Sequence, residues 1–296
     1  MKKLNFIIKY GLALLLLSFY SCESWLNVTP SDRLSEEMLF NDREGFVKAL
    51  NGVYIELNTN ELYGRNLTAG ALDVMGQYYS VASSSHAFYN YGGLVYTGND
   101  EKALFDNMWQ KCYAVIACCN TIIEKCDENK AGLSPVWKGS IKGEALALRA
   151  MLHFDMLRLF GPLTSELDKE SIPYQTNSDQ TVTPLLSGSE VIGLILDDLK
   201  NAVGLLKDTD PYFVEEEFSD TDLNYRRFRM NYFAAKGLMA RVQLWGGDKE
   251  KAAITAKEVI AEGQAEGAEF FPFVTNSEAT SSNPDRVFYS EVLFGT

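Results

Sequence analysis

The clearest hydrophobic pattern in the chain predicts a buried helix over residues 143–161. Apolar side chains recur in and just before this stretch at steps of three or four residues, which places them on one side of an α-helix. They are Ile141, Ala145, Leu148, Leu152, Met156 and Leu159. A second apolar row runs beside them, formed by Ala147, Ala150, Phe154 and Leu157. A helix that is apolar on two adjoining sides packs between neighbours, so we predict a core helix.

The polar positions of this helix form only a narrow strip, at Lys142, Glu144, Arg149 and His153. The spacing of Arg149, His153, Asp155 and Arg158 favours pairing within the helix over a catalytic role. Gly161 and Pro162 are expected to end the helix, with Gly161 in the left-handed conformation, because proline cannot continue the hydrogen-bond ladder.

Helical spacing of apolar residues predicts further helices over 40–57, 104–126, 189–206, 231–245 and 249–262. Ser189 and Asp248 are the predicted N-caps of two of them. Residues 132–135, Gly-Leu-Ser-Pro, separate 104–126 from the helix over 143–161, and Gly246-Gly247 forms the turn between 231–245 and 249–262, so both pairs are expected to form antiparallel hairpins. After Phe270 the helical period ends, and residues 286–294 are predicted to form a strand. The predicted fold class is an all-α core of helical hairpins with long irregular loops.

The segment between residues 78 and 99 breaks the helical pattern and is rich in rings. A short helix is expected to start near Ala69, and serines, glycines and asparagines then alternate with aromatic residues. Flat C–H faces of a pyranose stack on rings, and its hydroxyls bond to amides and phenols, so this loop is a candidate sugar-binding surface. The alternative is that the rings plug the loop onto the helices beneath. The candidate residues are Tyr78, Tyr79, Phe88, Tyr89, Asn90, Tyr91, Tyr96 and Asn99.

The amino terminus is typical of an export signal. Lys2 and Lys3 precede an apolar run over residues 6–17 that is too short to span a bilayer. Cys22 directly follows Ser21, as in a lipoprotein signal, so we predict a signal peptide over 1–21 and a lipid anchor on Cys22. The alternative is an ordinary cleaved signal followed by an incidental cysteine. Residues 22–35 lack periodicity and are predicted to be a tether.

Charge excludes one class of partner. The formal net charge is −13, and it becomes −16 once the first 21 residues, which hold three lysines and no acid, are removed. A nucleic acid needs a basic footprint that this composition does not provide. Anionic lipid would also be repelled, so membrane attachment is expected to depend on the anchor.

No cofactor or metal is predicted. Cys112, Cys119 and Cys126 lie seven residues apart on one predicted helix, too far apart for disulfides between them, and are expected to pack as small apolar residues. Cys118 could cross-link only to another segment. His86 and His153 are the only histidines, and neither keeps metal-ligand spacing with the cysteines. Phosphate loops, dinucleotide motifs and nucleophile elbows are also missing, so we expect no catalytic residues.

Three motifs resemble those of the SusD/RagB family, the nutrient-binding outer-membrane lipoproteins of Gram-negative bacteria. The run A-L-x-L-R-A-M-L-H-F-D-M-L-R-L-F-G ends at Gly161, N-G-V-Y spans residues 51–54, and S-E-V-I-x-x-I-L-D-D-L-x-x-A begins at Ser189. The run over residues 234–248, A-A-K-G-L-M-A-R-V-Q-L-W-G-G-D, looks like a tetratricopeptide repeat. The resemblance implies a helical repeat domain over 36–270, with 271–296 as the start of a truncated carboxy-terminal region.

The resemblance also implies a function. Proteins of that family use aromatics and an asparagine from the region that corresponds to residues 78–99 to bind glycans. They work with a TonB-dependent, SusC-like outer-membrane barrel. We therefore expect a non-catalytic, surface-exposed lipoprotein of the outer membrane that captures oligosaccharide or a similar nutrient and delivers it to the barrel. The alternatives are a repeat scaffold that binds only the partner protein and, on weaker grounds, a secreted glycan hydrolase.

Overall fold

The computed structural model of the protein describes residues 36–179, 181–265 and 268–295. The chain divides into two units, residues 1–39 and 40–296. The described part of the first unit is helix α1 (Glu36–Leu39). The predicted signal peptide and tether, with Cys22, lie outside the described residues and stay predictions.

The second unit is helical, as predicted. Its α-helices in chain order are α2 (Arg43–Leu57), α3 (Ala71–Met75), α4 (Tyr89–Gly92), α5 (Asn99–Glu128), α6 (Pro135–Phe160), α7 (Gly188–Thr209), α8 (Asp220–Asn224), α9 (Tyr232–Trp245), α10 (Lys249–Gly263) and α11 (Asn276–Ala279). Short 3-10 helices span Glu215–Glu217, Arg226–Phe228 and Tyr289–Glu291. Two antiparallel pairs complete the described elements, β1 (Glu170–Pro173) with β2 (Leu185–Ser187) and β3 (Gln264–Ala265) with β4 (Ala268–Glu269).

Helix α6 is the centre of the core and packs against α5 on one side and α7 on the other. Leu148, Leu152 and Met156, from its predicted apolar rows, are fully buried. Gly139 and Gly143 let α7 approach closely. A Cβ at Gly139 would lie 2.5 Å from Cγ2 of Thr209, and a Cβ at Gly143 would lie 2.7 Å from Cγ of Leu206. The predicted core helix is therefore confirmed.

Both predicted hairpins are present. Helices α5 and α6 pack against each other, as do α9 and α10. Helix α9 begins after Asn231, whose side chain accepts the Ala234 N–H at 2.9 Å, and α10 begins after Asp248, whose carboxylate accepts the Lys251 N–H at 3.0 Å. The predicted cap at Asp248 is confirmed.

Helix α6 ends at Phe160, directly before Gly161 and Pro162, as predicted. Two details of the helix termini are wrong. Gly161 is extended instead of left-handed, with φ −85° and ψ −179°, because a residue that precedes proline is held away from helical and towards extended conformations. Helix α7 is capped by Ser187 instead of Ser189. The Ser187 hydroxyl accepts the Glu190 N–H at 3.3 Å, and the Glu190 carboxylate accepts the Ser187 N–H at 2.9 Å, which is a capping box.

The strand predicted over 286–294 is also wrong. The Asp285 carboxylate accepts the N–H groups of Val287, at 2.9 Å, and Tyr289, at 2.7 Å, and so closes a turn. Phe288 is left-handed, with φ 52°, and leads into the 3-10 helix Tyr289–Glu291. The apolar residues of this stretch therefore follow a turn and not an extended strand.

The polar strip of α6 pairs within the helix only in part, and Arg149 departs from the prediction. Arg149 forms two bonds of 2.7 Å with Asp198 of α7 and a third, of 2.9 Å, with the Asn120 side chain of α5. The buried His153 ring contacts the Arg149 carbonyl oxygen of its own helix at 3.0 Å and accepts the Gln175 N–H at 3.0 Å. Asp155 and Arg158, at 2.9 Å, form the side-chain pair that follows the predicted spacing within the helix.

The cysteines of α5 confirm the predicted packing. Cys112, Cys119 and Cys126 are buried free thiols, and Cys118 is a free thiol on the exposed side of the helix. Within the part of the chain that the structure describes, no helix is both long and apolar enough to cross a bilayer.

Candidate functional site

The ring-rich loop, residues 76–98, joins α3 to α5 and is closed on itself by backbone and side-chain hydrogen bonds. Gln77 follows the end of α3 in the left-handed conformation, with φ 62°. Its side-chain amide donates to the Gly92 carbonyl oxygen at 3.0 Å, which ties the start of the loop to its end. The Val95 N–H also returns to the Asn90 carbonyl oxygen at 2.9 Å.

One half of the candidate rings forms a plug beneath the loop. Tyr91 is buried with Ala71 and Val74 of α3, and Phe88 and Tyr96 pack against this cluster. Edge contacts then join the rings to Phe105 of α5, which lies 6.0 Å from the Tyr91 ring and 5.4 Å from the Tyr96 ring, centroid to centroid. Such edge-to-face pairs hold the loop on the helices below.

The other half of the rings faces solvent. Tyr78 is 81% exposed, Tyr79 55% and Tyr89 42%. A depression of about 410 Å³ lies between Tyr79 and Tyr89, and Asn90 lines it with them. The Tyr78 ring lies over Gly76, where a Cβ would come within 3.1 Å of it, and does not line the depression.

Asn90 is fixed from below by helix α5. Its side-chain NH₂ donates to the Glu101 carboxylate at 2.8 Å, and Glu101 is buried in the first turn of α5. Gly98 makes room for that carboxylate, because a Cβ there would lie 2.0 Å from Glu101 Oε2. Of the remaining candidates, Asn99 is the first residue of α5 and lies outside the depression.

Two polar residues of this site are missing from the predicted set. Gln77 lines the depression and closes the loop, and Glu101 orients Asn90. In the sequence, the position of the Gln77 amide directly before Tyr78 and Tyr79 could have indicated that Gln77 belongs to the site. An acidic residue in the first turn of a helix, where the dipole favours negative charge, was the signal for Glu101.

The depression suits a neutral, hydroxyl-rich ligand. None of the described residues that line it is charged, and its polar groups are amides, phenols, a serine hydroxyl and backbone atoms. The plug and the Gln77 hydrogen bond hold the loop that carries the exposed rings before a ligand arrives, which lowers the entropic cost of binding. Within the described ranges, no three or more His, Cys, Asp or Glu side chains are arranged to hold a metal ion.

A family comparison matches most of the chain. The SusD-like family model described as "Starch-binding associating with outer membrane" matches residues 24–244. Among curated proteins, SusD-like protein P2 of Formosa agariphila is 26% identical over 87% of this chain and 46% of its own length. A SusD-like protein of Bacteroides ovatus is 30% identical over 48% of this chain and 23% of its own length. The chain spans less than half the length of these relatives.

Solved structures share the fold. A SusD-like carbohydrate binding protein from Bacteroides vulgatus superposes with a TM-score of 0.62 at 23% identity, over 80% of this chain and 47% of that one. A SusD superfamily protein from Bacteroides thetaiotaomicron gives a TM-score of 0.58 at 21% identity, over 80% of this chain and 49% of that one.

Proposed function

Because the chain belongs to the SusD-like family, we propose that it is a non-catalytic glycan-binding protein of the outer membrane. It binds a neutral oligosaccharide on the ring-rich loop and delivers it to a TonB-dependent, SusC-like outer-membrane barrel. A lipid on Cys22 anchors it to the membrane, with the binding loop exposed at the cell surface.

The arrangement of Tyr79, Tyr89 and Asn90 is the observation that carries this proposal. These residues line one uncharged depression, and each of them belongs to the set predicted from sequence. Two exposed rings offer stacking faces to a pyranose, and an oriented amide offers hydrogen bonds to its hydroxyls. Tyr91, Phe88 and Tyr96 act in this proposal as the rigid base of the site and do not contact the sugar.

The family description makes α-glucans the first ligands to test. The experiment is isothermal titration calorimetry of the protein with malto-, cello-, xylo- and manno-oligosaccharides. We expect one class to bind. The Tyr79→Ala, Tyr89→Ala double variant is expected to bind about tenfold more weakly or worse. The reason is that each tyrosine ring stacked on the ligand contributes about 0.5–1.5 kcal/mol beyond its buried area.

Phe273→Ala is the matched control, because Phe273 is an exposed ring outside this loop. Equal affinity of the double variant and the wild type would remove the loop from the site. Release of reducing ends from any of these glycans would instead favour a hydrolase. Co-purification with a barrel and no affinity for any glycan would favour the protein-binding scaffold.

A further inference from the structure

We propose a second saccharide-binding site, the Tyr225 cleft, which lies between α2, the start of α6 and residues 211–229. It consists of a half-open pocket of about 180 Å³ and an adjoining, more open groove of about 790 Å³. Asn51, Tyr225 and Arg229 line both. The Tyr225 cleft shares no lining residue with the depression in the ring-rich loop, so this proposal goes beyond the function proposed above.

The floor of the cleft is a fixed and neutral group of charges. Arg226 is fully buried and bonds to Asp210 through Nε, at 3.0 Å, and Nη2, at 2.6 Å, and to Glu144 through Nη1. Arg229 donates to the other Glu144 oxygen at 3.2 Å. Two guanidinium groups therefore face two carboxylates, and their charges cancel. The Asp222 carboxylate also lines the pocket, so the cleft favours an uncharged ligand over an anion.

The polar groups that face the cleft are held in place by that floor. Arg229 also donates to the Asn51 side-chain oxygen and lies over the Tyr54 ring, 4.4 Å from its centroid. The Asn51 amide nitrogen has no hydrogen-bond partner among the described residues, and it is exposed on α2. Asn51 thus presents an oriented donor at the junction of the pocket and the groove, as Asn90 does in the loop.

The walls of the cleft are aromatic. Tyr225 is 58% exposed and forms the rim between the pocket and the groove. Phe228 also lines the groove, is 45% exposed and lies 6.2 Å from the Tyr225 ring, centroid to centroid. Two exposed rings beside amide and guanidinium donors match the alternating C–H faces and hydroxyls of a saccharide chain.

Trp137 lines the pocket. Its ring lies 4.5 Å from the Phe218 ring, and the Arg43 guanidinium lies 4.7 Å over it. Its indole N–H is buried without a hydrogen-bond partner in the described structure, whereas buried donors are nearly always paired. At about 30 Å³ for each water, the pocket volume corresponds to about six waters, roughly the bulk of one pyranose. The pocket would therefore take a terminal sugar unit and the groove the units that follow.

Nuclear magnetic resonance of the indole N–H groups tests this site separately from the loop. The experiment uses the Tyr79→Ala, Tyr89→Ala double variant, in which the proposed site on the loop lacks both exposed rings. This variant is titrated with methyl glycosides of glucose, galactose, mannose and xylose. We expect at least one glycoside to shift the Trp137 signal saturably while those of Trp109 and Trp245 stay in place. Trp137→Phe assigns the signal.

Two further variants in the same background decide where the sugar binds. Tyr225→Ala, at an exposed position, is expected to weaken the response about fivefold or more, and Phe273→Ala is expected to leave it unchanged. The proposal is overturned if no glycoside shifts the Trp137 signal, or if Tyr225→Ala responds like its parent. A shift that follows protein concentration without sugar would also overturn it, since a second copy of the chain would then occupy the cleft. If Trp137 responds while the loop proves unable to bind glycan, this proposal stands and the binding site proposed above on the loop falls.

Discussion

Buried pairs of arginine and carboxylate side chains connect the helices of this protein. Arg226 connects Glu144 of α6 with Asp210, which follows α7, and Arg149 connects α6 with Asp198 of α7. A buried ion pair is weak evidence for stability as a whole, but removing one partner leaves an unpaired charge in a medium that cannot solvate it. The two arginines should therefore be among the least replaceable residues of the core.

Arg226→Met tests the first of these centres. It leaves Glu144 and Asp210 buried without their shared cation, so we expect the free energy of unfolding to fall by about 3–5 kcal/mol, measured by urea denaturation. Lys251→Met removes an exposed lysine from a pair on α10 and is expected to change little. Equal effects of the two substitutions would contradict the role given to Arg226.

His153 makes stability depend on pH. Burial lowers its pKa from 6.5 to about 3, and the Arg149 carbonyl oxygen only partly opposes that shift. The folded state thus keeps the ring neutral while the unfolded chain takes up a proton below pH 6.5, so stability is present above that pH and is lost as pH falls towards 3. Because of His153, we expect the free energy of unfolding to fall by about 2 kcal/mol between pH 7 and pH 5. Urea denaturation of wild type and His153→Gln at both pH values should show this difference, and parallel losses would contradict it.

At the scale of elements, the sequence predicts those features that depend on local pattern. The apolar rows of α6, the hairpins and the Asp248 cap all follow from spacing within one segment. The partners of Arg149 and His153 do not, because Asp198 and Gln175 come from other segments that only the fold brings near. The strand predicted over 286–294 failed for a different, local reason, since Asp285 closes a turn that the spacing of apolar residues alone does not show.

The candidate site shows the same limit. Sequence indicates that rings and amides share one loop, and Tyr79, Tyr89 and Asn90 do line one depression. It cannot separate those from Tyr91, which has the same residue type and spacing but points to the plug beneath. Which tyrosine is buried depends on Phe105, a residue of the next helix.

The start of α7 provides a test at this scale. Ser187→Ala removes the side chain that caps the Glu190 N–H, and we expect it to cost about 1 kcal/mol of unfolding free energy. Ser189→Ala lies two residues on, inside the first turn, and is expected to cost less. Thermal denaturation of the two variants compares them directly, and a larger loss for Ser189→Ala would restore the cap predicted from sequence.

At the scale of the whole molecule, a net charge of −13 gives the protein no electrostatic attraction to anionic lipid. We therefore expect association with a membrane to come from an anchor or from a protein partner. The proposed anchor is Cys22, and several acyl chains on one residue would make attachment stable.

Cys22→Ser tests the anchor. We expect the wild-type protein to incorporate labelled palmitate in a Gram-negative host and to sediment with outer membranes, and the variant to do neither. Cys118→Ser, which removes an exposed thiol from α5, is the matched control and should behave like wild type. A wild-type protein without label would contradict the lipid anchor and leave the cysteine incidental.

A crystal structure of the protein with the oligosaccharide that binds most tightly in calorimetry would show whether the exposed rings of the loop form the proposed saccharide site. We predict a sugar ring stacked on Tyr79 or Tyr89, with a hydroxyl bonded to the Asn90 side chain and Tyr91 still buried below. A bound oligosaccharide that contacts none of Tyr79, Tyr89 and Asn90 would contradict this site.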